Sequence, residues 1–91
     1  MLILGIDTAT PQVGVAIGND GELVGTVRLR SERPRHAEQL APAIEHLCRE
    51  LGVTLDHLAA IAVDIGPGLF TGLRVGVTTA KVMAQALRIP V

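Results

Sequence analysis

Asp7 and Asp64 are the acids best placed to do chemistry. Each closes an apolar run, Leu2–Ile6 and Leu58–Val63, that reads as a buried strand. If the two strands are parallel neighbours, both carboxylates stand at the C-terminal edge of one sheet, where α/β folds hold their ligands. Two carboxylates there could hold a metal-bound phosphate. A nucleotide-binding reading of this edge uses Asp7 together with Thr8. In the plainer reading Asp7 caps the turn Asp7-Thr8-Ala9-Thr10-Pro11 and Asp64 is solvated.

The second candidate is Gly66-Pro67-Gly68, between the Asp64 strand and a segment of helical periodicity from Thr71 to Leu87. Pro67 fixes its own φ, and the flanking glycines permit the positive φ that a strand-to-helix corner often needs. Thr71 reads as the helix N-cap. A glycine turn feeding a helix N-terminus could cradle an anion. Equally, the glycines could serve turn geometry and helix packing alone. The stretch lacks the Lys-Ser/Thr of a P-loop and is not G-x-G-x-x-G, which favours packing.

The remaining reactive residues form no recognisable centre. His36, His46 and His57 have no metal-ligand spacing, and surface or capping roles are expected for all three. No serine or cysteine nucleophile has a visible base partner. Arg28, Arg30, Arg33 and Arg35 make a local basic run that could touch RNA phosphates. Without aromatic residues to stack on bases, a solvated edge is the better reading. Cys48 falls on the apolar side of a helical segment, as an inert core thiol would.

Ninety-one residues support one small domain. Hydrophobic residues make up 48%, yet Phe70 is the one aromatic, so the core must be built from aliphatic side chains. A net charge of −1 is not the footprint of a nucleic-acid-binding domain. The single cysteine excludes an internal disulfide and a zinc ligand set. The N-terminus has no basic segment of the kind that opens a signal peptide, and no apolar run approaches a membrane span. A cytoplasmic location is expected.

These residues are positioned by a simple series of elements. Leu2–Ile6 is apolar on both faces, which suits a central strand buried on both sides. Gln12–Ile17 and Glu22–Arg30 read as a hairpin joined through Asn19-Asp20-Gly21. A helix spans about residues 35–51, with Leu40, Ile44, Leu47, Cys48 and Leu51 on its core face. Pro42 should kink it or mark a late start. The strand 59–64, the glycine corner and the long helix follow, and Ile89-Pro90-Val91 looks like a fifth strand beginning. A helical crossover makes the first and fourth strands parallel neighbours, giving a five-stranded mixed sheet of order 3-2-1-4-5 with two main helices.

The second helix carries more apolar surface than one sheet needs. Arg74, Thr78, Lys81, Gln85 and Arg88 form one narrow polar stripe. Leu73, Val77, Ala80, Ala84 and Leu87 make one apolar face, while Val75, Val82, Met83 and Ala86 make another, broken by Thr79. Gly72, Gly76 and Ala80 leave a smooth row where another backbone could come close. Such packing would offset the cost of about 1 kcal/mol per helical glycine.

The strand order, with Gly5-Ile6-Asp7-Thr8-Ala9-Thr10 on the first strand, resembles the first lobe of the actin/Hsp70/sugar-kinase superfamily, a ribonuclease H-like fold. More closely, Gly66-Pro67-Gly68-Leu69-Phe70-Thr71-Gly72-Leu73-Arg74-Val75-Gly76 resembles the glycine signature of the TsaB (YeaZ) family. His36-Ala37-Glu38-Gln39-Leu40-Ala41-Pro42 is similar to that family's first helix. Leu69 stands where the signature has serine, and Phe70-Thr71-Gly72-Leu73-Arg74 points to the dimerisation subunit. The resemblance implies one lobe, residues 1–91, of a two-lobed actin-like ATPase fold, with the second lobe absent.

It also implies a non-catalytic scaffold for threonylcarbamoylation of adenosine 37 in tRNA. The expected partners are the catalytic paralogue TsaD and the ATPase TsaE, or a second copy. Contact with tRNA would be indirect, and no membrane is involved. The lobe itself would bind no cofactor, which leaves ATP and magnesium to the full complex. The interface candidates carried over are His36, Leu40 and Ile44 on the first helix, and Leu73, Arg74, Val77, Thr78 and Lys81 on the second. The alternative is the nucleotide-binding lobe of an actin-like-fold enzyme, a phosphotransferase or hydrolase, using Asp7 and Thr8.

Overall fold

Asp20 and Gly21 have φ of 53° and 84°. Positive φ at both central residues defines the two-residue turn that matches strand twist. It joins β2 (Val13–Asn19) to β3 (Glu22–Leu29), with Asn19 paired to Glu22 across the closing step. This computed structural model describes residues 1–9, 12–30, 36–66 and 70–91, apart from the side chains of Phe70 and Thr71. β1 (Leu2–Asp7) lies antiparallel to β2 and parallel to β4 (Leu58–Val63). The sheet order is β3-β2-β1-β4.

The sheet therefore has four strands rather than five. Residues 89–91 form no strand, although the Ile61 N–H donates to the Pro90 carbonyl at 3.0 Å. The chain end thus lies along the outer edge of β4 with one ladder bond made.

Two helices cover one face. α1 (His36–Leu51) packs on β2 and β3, and α2 (Phe70–Leu87) on β4 and β1. Beneath them Leu4, Ile6, Val13, Val15, Ile17 and Ile61 form the sheet side of an aliphatic core. The register explains the grouping: Leu4 lies opposite both Ile17 and Ile61. Side chains at one rung of neighbouring strands share a face. The opposite face carries Ile3, Gly5, Ala16 and Ala62, and Ile3 is 36% exposed. The expectation that β1 is buried on both sides is therefore corrected, because both helices lie on the same side of it.

α1 runs through Pro42 from His36, so its start is not delayed to the proline. It ends at Gly52, whose φ is 66°. There the Val53 N–H reaches the Cys48 carbonyl at 2.9 Å and the Gly52 N–H the Arg49 carbonyl at 3.3 Å. This pair of bonds satisfies carbonyls that the last turn leaves unpaired. α2 ends the same way, through Ile89 to Ala84 and Arg88 to Gln85, but with arginine at a φ of 57°.

Candidate functional site

The parallel pairing of β1 and β4 brings Asp7 and Asp64 to one shallow depression at the C-terminal end of these strands, with Arg28 beside it. Both carboxylates fold back on their own turns. Asp7 Oδ1 accepts the Ala9 N–H at 3.1 Å, and Asp64 Oδ1 accepts the Gly66 N–H at 2.9 Å. Asp64 is exposed, and Asp7 is half-buried. Asp7 thus caps its own turn, and Asp64, read as merely solvated, is exposed but also caps the corner at Gly66. Among the described residues no three of His, Cys, Asp and Glu converge as a metal ligand set. Gly66 has a φ of 109°, as a corner glycine should. The remainder of the corner, Pro67 to Leu69, lies outside the described residues, and with it the anion-cradle reading. α2 begins at Phe70, which puts Thr71 inside its first turn rather than at the cap.

Thr8, paired with Asp7 in the nucleotide reading, is fully buried. Its hydroxyl donates to the Gly72 carbonyl at 2.5 Å. A Cβ on Gly72 would collide with the Thr8 carbonyl oxygen, and one on Gly76 with Thr8 Oγ1. The backbone that the glycine row admits is therefore the chain's own β1–β2 turn. His36 closes the same junction, with its Cε1 and Nε2 3.1 and 3.2 Å from where a Gly72 Cβ would stand. It is 4% exposed, which removes the surface alternative of the surface or capping role expected for it; His46 and His57 are exposed.

The interface candidates divide. Leu40 and Ile44 are 1% and 4% exposed and belong with His36 to the chain's own interior, so these three do not present an outer surface. Leu73 and Val77 are half-buried, whereas Arg74, Thr78 and Lys81 are exposed. Val77 and Lys81 line a groove beside the β4 edge with Ile65 and Val91. Arg74 and Thr78 line a different groove, between α2 and Ala37 of α1, together with Val75 and Thr79. Next to this second groove stand residues absent from the candidate set. Val82 is 60% exposed and Ala86 is exposed, while Val75 and Met83 are half-buried. The spacing Val75, Val82, Ala86 is the signal that identifies them, a separate apolar line on α2.

The family model for TsaD, tRNA N6-adenosine threonylcarbamoyltransferase, matches residues 30–91. The tRNA threonylcarbamoyladenosine biosynthesis protein TsaB of Escherichia coli is 38% identical over 92 residues, covering 99% of this chain and 38% of that protein. TsaB of Bacillus subtilis is 33% identical over 91 residues, covering 100% of this chain and 39% of that one. The solved structure of YeaZ from Pseudomonas aeruginosa superposes with a TM-score of 0.87 at 34% identity. The chain belongs to the family that the TsaD model describes. The members named TsaB and YeaZ above are its relatives at 33–38% identity. The superposition covers 99% of the chain and 43% of that YeaZ, so the TsaB/YeaZ fold seen here spans about two-fifths of the relatives' length. Among the described residues no helix is long and apolar enough to cross a membrane.

Proposed function

We propose that this relative of TsaB and YeaZ acts as a non-catalytic scaffold lobe in threonylcarbamoylation of adenosine 37 in tRNA. The lobe pairs through the outer surface of α2 and the adjoining start of α1. The partner is the catalytic paralogue TsaD or a second copy. TsaE, ATP and magnesium belong to the full complex, and tRNA is met only through it. The names of the relatives support the pathway. The observation that carries the pairing is the exposed apolar pair Val82 and Ala86, beyond the half-buried Val75: Val82 stays 60% exposed. Apolar surface left in the open on a helix already seated on a core is what an association surface looks like.

The test is light scattering across concentration, with co-purification against TsaD, for the parent and for Val82→Asp. The exposed position should tolerate the charge, so the thermal melt stays in place while pairing is lost. A folded V82D that pairs like the parent overturns the reading. The rival reading, a nucleotide-binding enzyme lobe, has the shared Asp7–Asp64 depression in its favour. Calorimetry with ATP and magnesium separates the two: tight binding abolished by Asp7→Ala would favour the enzyme.

A further inference from the structure

α2 is two helices in composition. Its first ten residues, Phe70 to Thr79, include Gly72, Gly76, Val75, Val77, Thr71, Thr78 and Thr79. Glycine and β-branched residues are poor helix formers, and each glycine costs about 1 kcal/mol against alanine. The last eight, Ala80 to Leu87, are Ala-Lys-Val-Met-Ala-Gln-Ala-Leu, mostly strong helix formers. The strong half sets Ala80 and Ala84 into the core, whereas the weak half meets the end of β1 and the start of α1. The Thr8 hydroxyl donates to the Gly72 carbonyl, and the Thr8 backbone fills the space left by the missing Cβ of Gly72. The His36 ring lies against the same glycine. Among the described residues, Thr8 and His36 are the two buried polar side chains, and both sit at this junction.

We propose that Thr8 is a positioning residue, the clasp that holds the N-terminal half of α2 on the end of β1, while the C-terminal half is held independently by its own helix propensity and by Ala80 and Ala84 in the core. The clasp divides α2 into two units of different local stability, since segments open independently where their own contacts differ. Arg74, Val75 and Thr78 lie in the clasped half, so their orientation depends on a residue far away in sequence. Nothing in this requires that the outer surface of α2 pair with anything.

Amide exchange across the whole chain, in the parent, Thr8→Val and Thr8→Ser, provides the test. T8V keeps the shape and removes the donor. Loss of one buried hydrogen bond should speed exchange in the first half of α2 on the order of five- to tenfold. Amides of Met83 to Leu87 and of β2 and β3 should stay within about twofold of the parent, and T8S should restore parental rates. T8V exchange that is unchanged, or raised evenly over the whole chain, overturns the proposal, as does failure of T8S to restore it. The parent gives an independent reading should T8V not fold. Its Thr8 hydroxyl proton should exchange slowly enough to be seen by NMR, and fast exchange of that proton overturns the clasp.

Discussion

The Ile61 N–H donates to the carbonyl of Pro90 at 3.0 Å across the outer edge of β4. The bond places the residues after α2 against β4, one of the two edge strands of the sheet, the other being β3. The Asp64 amide, by contrast, points inward and donates to the Ile6 carbonyl, also at 3.0 Å. Removing Ile89 to Val91 should therefore speed exchange at Ile61 and leave Asp64 protected. Hydrogen exchange followed residue by residue checks this; equal loss at both would mean that the chain end supports the whole sheet.

Gly72→Ala should be costly even though alanine is the better helix former. The new Cβ meets the Thr8 backbone carbonyl, which cannot rotate away. Overpacking of this kind costs about 2–3 kcal/mol, more than the gain of about 1 kcal/mol in helix propensity. Gly25→Ala gives the contrast. Its nearest neighbours are the ends of the Leu51 and Leu47 side chains, at 2.9–3.2 Å, which can yield. The unfolding free energy from urea titration should fall clearly for the first and by under about 1 kcal/mol for the second.

Arg88→Gly should stabilise the chain. Arg88 closes α2 at a φ of 57°, a geometry that costs non-glycine residues about 1 kcal/mol. Gly52 performs the same task at the end of α1 without that cost. A gain of about 0.5–1 kcal/mol in chemical denaturation is expected.

Burial pushes the Cys48 thiol above its ordinary value of 9.0. The fold thus favours the neutral thiol. Its contribution to stability is complete below the ordinary value and is lost as pH rises toward the folded one. Alkylation by iodoacetamide at neutral pH should be slow in the folded chain and rapid in denaturant. Fast labelling without loss of structure would contradict the burial.

Much of the fold could be read from local chemistry. Asn19-Asp20-Gly21 specified its turn because only certain residues accept positive φ in succession. The second apolar line of α2 was visible as spacing, and it is where the open surface lies. Periodicity puts Leu40 and Ile44 on the core face of α1, and there β2 and β3 cover them. Their interface role rests on the resemblance alone, and in this fold both side chains are turned inward. The tie between Thr8 and Gly72 joins residues 64 apart, with no mark in either neighbourhood. The same limit applies to the chemistry assigned to Thr8, since a hydroxyl next to an aspartate reads the same whether it faces a ligand or a helix.

A core packed from Leu, Ile, Val and Ala, in a chain with one phenylalanine and neither tryptophan nor tyrosine, has an experimental consequence. The molecule is nearly silent in near-ultraviolet absorption and fluorescence, so optical probes of its interior must be introduced. The same aliphatic groups end in methyls, each a sharp reporter in a carbon-labelled spectrum. Among the described residues the His36 imidazole is the one buried ring, so a molecule that brings a ring of its own would be read as new methyl shifts relative to the free chain.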